Sequence, residues 1–373
     1  MTPAMNPSGA PLRIGIAGGG LLGRLLAWTL ARAGHQVSVY DPAEGPAPSF
    51  DGRQAAGFTA AGMLSPLAEL DQAEPEVAAL GWASLARWRD ITQALALTGP
   101  TAPSFQQQGS LLVAHGPDLG AARRVLQRLA LAHQPHWPQP EALTPEQLQQ
   151  LEPELHGSQG PLHAWHLPQE GCIDTVATLQ ALNDQAFHAE WHWGQSVRAV
   201  DAGALHLADG QSVRVDWAID VRGVGARPQA EVRGVRGELV WLHAPGVRLQ
   251  RPVRLLHPRH RVYLVPRPGD MVLVGASELE SEDRSPMSLR SAVELMAAAH
   301  SIVPALAEAR IHRMDVNLRP ARPDHRPEVL VDDGLIRING LYRHGWLLAP
   351  ALMDQALERA HLTPSAILHR NAA

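Results

Sequence analysis

Six residues near the amino terminus, Gly18-Gly19-Gly20-Leu21-Leu22-Gly23, have the spacing of a loop that holds a dinucleotide pyrophosphate. Gly18 permits a tight turn, Gly20 lets phosphates approach the backbone, and Gly23 lets the following helix pack against the preceding strand. The first N–H groups of that helix, with their partial positive charge, then face the phosphates. Asp41, followed by Pro42, stands where such a loop needs an acid. Its carboxylate can accept hydrogen bonds from both hydroxyls of an adenosine ribose and would repel a 2′-phosphate. The pattern by itself leaves FAD and NAD both open.

Other chemistries have less to build on. All 32 cationic residues are arginine, which excludes a Schiff-base lysine and a phosphate-loop lysine. His188 and His192 are four residues apart, with His163 and His166 upstream. Glu190 is not adjacent to His188, however, and the segment reads partly as strand, short of the three or four convergent ligands a metal needs. No metal is expected. Cys172, the single cysteine, reads as a small core residue rather than a nucleophile or a flavin attachment point. One thiol excludes an internal disulfide and suits a reducing cytosol.

The elements that must position these residues follow from the apolar pattern. Residues 12–17 form a short apolar run ending in glycines, as a buried parallel strand does. Leu22, Leu26, Leu30 and Ala33 then recur at helical spacing, with Arg24, Trp28 and Arg32 on another face, and Gly34 stops the helix. Residues 36–40 make a second strand ending at Asp41, so the chain opens with a βαβ unit. Further helices are expected over 77–97, 117–132, 172–188, 288–300 and 346–360. Strands are expected after Gln108-Gly109-Ser110, over 197–200 and 204–207 as a hairpin, over 215–220 and over 335–339. Three β-rich runs separated by Pro and Gly turns fill 236–277, and 133–140 reads as a peripheral loop.

At 373 residues the chain suits two domains. With 45% hydrophobic and 18% charged residues it can bury a large core, so disorder is excluded, and a net charge of −5 argues against nucleic acid as a partner. Residues 20–33 are too short to cross a bilayer and are interrupted by Arg24 and Arg32. The first ten residues read as a frayed leader, without a targeting signal. The expectation is a cytoplasmic protein with no membrane insertion.

Downstream segments carry a resemblance that covers almost the whole chain. Ala60-Ala61-Gly62-Met63-Leu64, with Pro66 and Glu69, resembles the segment beside the flavin in the glycine oxidase and D-amino-acid oxidase family of FAD-dependent enzymes. Gln108-Gly109-Ser110-Leu111, Tyr263-Leu264-Val265-Pro266-Arg267 and Val274-Gly275-Ala276-Ser277 are similar to strands of that family's substrate domain. Asn317-Leu318-Arg319-Pro320 is similar to its G-L-R-P element. Gly340-Leu341-Tyr342-Arg343-His344-Gly345-Trp346-Leu347 is similar to its C-terminal flavin loop and helix.

The resemblance implies an α/β protein: a Rossmann-like FAD-binding domain with an inserted substrate domain built on a mainly antiparallel sheet. The FAD domain would comprise 1–100, 167–228 and 316–373, and the substrate domain 101–166 and 229–315. FAD would lie non-covalently across the glycine loop. Ala61, Gly62 and Met63 would border the isoalloxazine, Val197 the adenine side, and Leu341 to Leu347 the pyrimidine end. Met63 would also face the substrate, a small amino acid whose carboxylate Arg319 would clamp. Tyr263 would donate a second bond, and Arg343 would sit beside flavin and substrate or brace its loop. Hydride transfer from the α-carbon to flavin N5 needs no side-chain acid or base. The products would be an imino acid or α-keto acid, ammonia and, with O2 as acceptor, H2O2, with the imine serving thiamine thiazole synthesis. A dehydrogenase passing electrons to a quinone or another carrier is the alternative. Self-association is also implied.

The sequence departs from the family at three places. Gly57 and Phe58 stand where relatives carry Ser or Thr, leaving Thr59 as the nearest hydroxyl. Glu278 replaces an apolar residue. Pointing inward, it would favour a cationic side chain or repel an extra carboxylate; pointing outward, it would be a solvated strand end. Arg222 replaces a small residue, for no reason visible in the sequence.

Overall fold

The apolar run and the helical repeat that follows it fold as a strand, Arg13–Ala17, and a helix, Leu21–Arg32, leading to the strand Gln36–Asp41. This computed structural model describes residues 11–99, 103–132, 134–158, 160–257 and 261–362. The leader-like first ten residues lie outside them.

Arg13–Ala17 pairs in parallel with Gln36–Asp41 on one side and Trp217–Asp220 on the other. Leu335–Asn339 and Ala189–Trp193 extend this sheet, also in parallel, and Glu328–Asp332 closes one edge in the antiparallel sense. Ile14, Ile16, Leu25, Leu26 and Leu30 are fully buried against Trp88 of the helix Pro75–Thr98 and Leu348 and Met353 of the helix Gly345–Arg359. Each pair of parallel strands needs a long crossover. The chain's return from residue 41 to the neighbouring strand Ala189–Trp193 encloses three of the eight strands of a second sheet.

That second sheet has eight strands, in the order Arg310–Ala321, Arg233–His243, Met271–Gly275, Arg261–Arg267, Val253–Leu256, Ser110–Ala114, His163–Leu167 and Glu141–Leu143. Only Val253–Leu256 with Ser110–Ala114 is a parallel pair. Side chains alternate between faces. Val240, Val262, Leu264, Val272 and Val274 pack against Leu295, Ala299 and Ile302 of the helix Leu289–Ile302. Leu239, Tyr263, Val265 and Leu273 turn the other way, toward Ala61, Met63 and Cys172. Burial on both faces is why these strands read as unbroken apolar runs.

Several expectations change. The helix expected over 172–188 begins later and ends sooner, at Thr175–Asp184, because Gly171–Ile173 is a short strand pairing with Met63–Leu64 and Phe105–Gln106. Asp174 sets the start, its side chain accepting from the Val176 and Ala177 N–H groups, each at 3.0 Å. Val253–Leu256 is a strand not foreseen in the sequence. Arg310–Ala321 is one strand of the eight-stranded sheet and runs through the boundary expected at 315/316. Ala189–Trp193 is a strand as well, on which residues four apart are separated by about 13 Å. Among the described residues no helix is long and apolar enough to cross a membrane.

One buried acid ties the first sheet's connections to the second. Glu170, with no exposure, accepts from the Ala68 N–H at 3.0 Å and from the Ser110 hydroxyl. Burial pushes its carboxyl up to about 7, despite these bonds and nearby Arg254. Between the unfolded value near 4.3 and about 7 the folded protein holds a proton that the unfolded chain has lost, so stability falls as pH rises through this window. Glu170→Gln removes that penalty. Its thermal midpoint, relative to wild type, should therefore improve from pH 5 to pH 8; an equal difference at both pH values would show that Glu170 ionises normally.

Candidate active site

The carboxyl ends of Arg13–Ala17 and Gln36–Asp41, the 49–63 segment, the Leu341–Leu347 turn and one face of the eight-stranded sheet enclose a cavity of about 1110 Å³. This is larger than most drug-sized sites. The nominated residues Gly18, Gly20, Leu21, Leu22, Asp41, Pro42, Ala61, Gly62, Met63, Val197, Tyr263, Glu278, Arg319 and Leu341 to Leu347 all line it. Gly23 does not. Its Cβ would lie 1.8 Å from the Gly18 carbonyl, so it serves the close packing of helix on strand.

At one end the chain leaves donors unused. Gly18 has φ +106°, and a Cβ there would meet the Val221 carbonyl at 2.8 Å. Leu21–Arg32 starts at Gly20 with no side-chain cap and no acid in its first turn. Gly345–Arg359 also starts bare of cap and acid, on the same cavity. Two uncapped helix starts on one cavity suit a ligand with negative charge at two separated places. Asp41 accepts from the Gly19 N–H at 2.6 Å and the Ala43 N–H at 2.9 Å, which fixes its carboxylate at the cavity wall. The residues present thus fit FAD, whose phosphates would face Leu21, its ribose Asp41 and the ring's pyrimidine end Gly345.

Two arginines hold this end together. Arg24, expected on a separate helix face, is 1% exposed and donates to the carbonyls of Gly19, Leu179 and Pro46, each at 2.9 Å. Burial lowers it to about 10, which leaves it charged at neutral pH. Arg222 has an account in the structure: it forms a two-point pair with Asp220 at 2.9 and 2.7 Å. It also donates to the Val197 carbonyl at 2.7 Å, fixing the strand edge where the adenine side was expected. Thr59 lines the cavity with its hydroxyl on the Ala56 carbonyl at 3.2 Å.

At the other end, missing side chains make the room. A Cβ on Gly275 would strike the Tyr263 ring at 2.7 Å, and one on Gly237 would strike the Arg319 guanidinium at 2.4 Å. Glycine inside a strand is itself a signal of close approach, and it could have marked both positions in the sequence. Arg319 donates to the Ser277 carbonyl at 3.1 Å and weakly to the Arg236 carbonyl at 3.4 Å. Asp315, four residues before it, is engaged elsewhere, binding Arg313 at 3.0 Å and the Trp241 N–H at 2.8 Å. Burial pushes the Tyr263 hydroxyl up, against the pull of Arg319 and Arg254, so it remains a donor.

Between the two ends lies a network the sequence did not reveal. Glu69 is 8% exposed and receives Arg254 at 2.6 Å, Arg343 at 3.0 Å and His344 at 2.9 Å. Burial would raise its carboxyl, but Arg254, Arg343 and His344 together hold it well below the usual range. Arg343 also donates to Gln72 at 2.8 Å, so it is a brace of its loop as well as a cavity wall. Glu278 lines the cavity, with its side chain still 42% exposed: its carboxylate accepts from the Tyr342 hydroxyl at 2.6 Å and lies 3.7 Å from Arg343. Burial opposes its ionisation, but Tyr342, Arg343, Arg319 and Arg261 outweigh it and lower its carboxyl. Arg267 donates to the Ala61 carbonyl behind the cavity wall. Glu69→Ala strands the buried Arg254 and Arg343 and should cost about 3 kcal/mol or more of stability. Denaturant unfolding measures it; a loss below about 1 kcal/mol would reduce the network to the worth of a surface pair.

Comparison with known proteins agrees with this geometry. The family model for FAD-dependent oxidoreductases, DAO, matches residues 13–355. A Rhizobium etli protein provisionally designated the thiamine biosynthesis oxidoreductase ThiO is 35% identical over 348 residues, 93% of this chain and 96% of that protein. Glycine oxidase of Geobacillus kaustophilus is 25% identical, over 90% of this chain and 89% of its own. The crystal structure of a glycine oxidase from the same species superposes with a TM-score of 0.79 at 22% identity, covering 95% of this chain and 96% of that one. That of Bacillus cereus glycine oxidase gives 0.78 at 19%, covering 94% and 95%. The chain belongs to the DAO family of FAD-dependent oxidoreductases, and FAD is its cofactor.

Proposed function

We propose that the protein is an amino-acid oxidase that oxidises glycine or another small amino acid, D-configured or N-methylated. The observation that carries this reading is Arg319, lying over the bare Gly237 backbone on the cavity wall beside Tyr263, with no carboxylate in ion-pair reach among the described residues. A planar guanidinium grips a carboxylate at two points, and the protonated Tyr263 hydroxyl donates a further bond. When bound, FAD would supply the two-electron acceptor, at flavin N5, for the hydride of the substrate α-carbon; the imino acid would hydrolyse to an α-keto acid and ammonia, and O2 would take the electrons as H2O2. The chain's part is to position the substrate and to stabilise negative charge through the N–H groups of Gly345, Trp346 and Leu347. No side chain has to act as a base on carbon.

The relatives named glycine oxidase support the substrate size, and the Rhizobium etli relative's name supports a place for the imine product in thiamine synthesis. FAD is held non-covalently in this reading, since Cys172 is buried and burial pushes its thiol up. The six-stranded sheet would be the heart of the FAD unit (1–100, 167–228 and 316–373) and the eight-stranded sheet that of the substrate unit, with the strand Arg310–Ala321 passing from one unit into the other.

Anaerobic addition of glycine, sarcosine or D-alanine should bleach the yellow absorbance, and readmitted O2 should restore it with one H2O2 per turnover. Bleaching by none of these, nor by any other small D-configured or N-methylated amino acid, overturns the reading. Arg319→Ala should raise KM by about 10²-fold, as loss of a charge-assisted pair costs roughly 2–5 kcal/mol; unchanged kinetics would remove Arg319 from the clamp. Asp41→Ala should lower the flavin-to-protein ratio after dialysis while the circular dichroism of the fold stays as it is.

A further inference from the structure

The eight-stranded sheet places more positive charge on the cavity than one carboxylate can use. On this side the wall carries the guanidiniums of Arg254, Arg261, Arg319 and Arg343 against the carboxylates of Glu69 and Glu278. Glu69 is taken by Arg254, Arg343 and His344. Glu278 is taken by Tyr342 at 2.6 Å and faces Arg343. Arg319 serves the substrate's α-carboxylate.

Arg261 is left over. It is an exposed residue that lines the cavity, and among the described residues no hydrogen bond or ion pair engages its head group. Burial and the neighbouring Arg343 both work against its charge, more than Asp71, Glu278 and Glu69 work for it. Its position in the strand fixes where that charge lies. Arg261 and Tyr263 are two residues apart on Arg261–Arg267, so they share the cavity face about 7 Å apart along the strand. Arg254 pairs across from Tyr263 and Leu256 across from Arg261, so the only cation flanking Tyr263 on the next strand is the one already held by Glu69.

We propose that Arg261 is a second anion subsite, and that the preferred substrate is a small amino acid carrying a second carboxylate two or three bonds beyond its α-carbon. This rests on the amino-acid oxidase reading above and narrows it. With the α-carboxylate on Arg319 and Tyr263, the side chain of a four- or five-carbon diacid reaches along the strand toward Arg261. Glu278 is no obstacle, because its charge is already met by Tyr342 and Arg343. A cationic side chain would meet Arg261 and Arg343 instead and be repelled.

The test uses the FAD-loaded full chain. Succinate and acetate, which cannot be oxidised at an amine, are titrated against the flavin absorbance. Succinate should bind at least tenfold more tightly than acetate, and Arg261→Met should collapse that ratio while Arg261→Lys keeps part of it. In turnover, kcat/KM for D-aspartate or D-glutamate should exceed that for glycine and D-alanine by at least tenfold, and Arg261→Met should lower this preference by a similar factor. Equal binding of succinate and acetate, or a ratio indifferent to Arg261→Met, overturns the subsite. If glycine bleaches the flavin and the diacids do so no better, the subsite fails while the amino-acid oxidase reading stands. If no amine bleaches it, that reading fails, and the succinate titration still decides the subsite.

Discussion

A buried carboxylate on the cavity wall, Glu69, joins three parts of the chain that are remote in sequence. It sits at the end of the short helix Pro66–Glu69, takes Arg254 from the eight-stranded sheet, and takes Arg343 and His344 from the turn before the helix Gly345–Arg359. That turn also anchors Trp346, whose indole donates to the Gly57 carbonyl at 3.1 Å and whose own carbonyl accepts from Trp88 at 2.7 Å. The start of the second bare helix is thereby fixed relative to the sheet that carries Tyr263 and Arg319. Without the shared carboxylate, the two cations would repel each other at the point where both ends of the cavity meet.

What the chain omits matters as much as what it places. Gly18 and Gly23 let backbone meet backbone at the phosphate loop, while Gly237 and Gly275 open the sheet for Arg319 and Tyr263. Gly62, with φ +63°, would drive a Cβ into the Ile173 carbonyl at 2.2 Å, which keeps the 61–63 wall thin. The cavity is therefore shaped by backbone, and backbone yields little to a substitution elsewhere in the core.

The parts of the site legible in the sequence are those whose geometry is local. The glycine loop, its helix and Asp41 lie within one βαβ unit, and their spacing is enough. Arg24 was placed on an outer helix face because periodicity sees only the helix; its burial is decided by carbonyls at 46 and 179. The position of Glu278 is decided by Tyr342, and the role of Arg222 by Val197. The strand Gly171–Ile173 exists through its pairing with segments near 63 and 105, so a helical reading of 172–188 had nothing local against it. In each case the deciding contact spans twenty-two residues or more.

The absence of lysine gives the cavity an unusual electrical character. Apart from His344, every cation on its wall is a guanidinium, a group that keeps its proton through neutral and mildly basic pH. Over that range the guanidiniums hold their charge, and the wall keeps its grip on anions. Any rise in turnover between neutral and basic pH then reports the amine of the guest, a reading that a lysine-lined enzyme would blur.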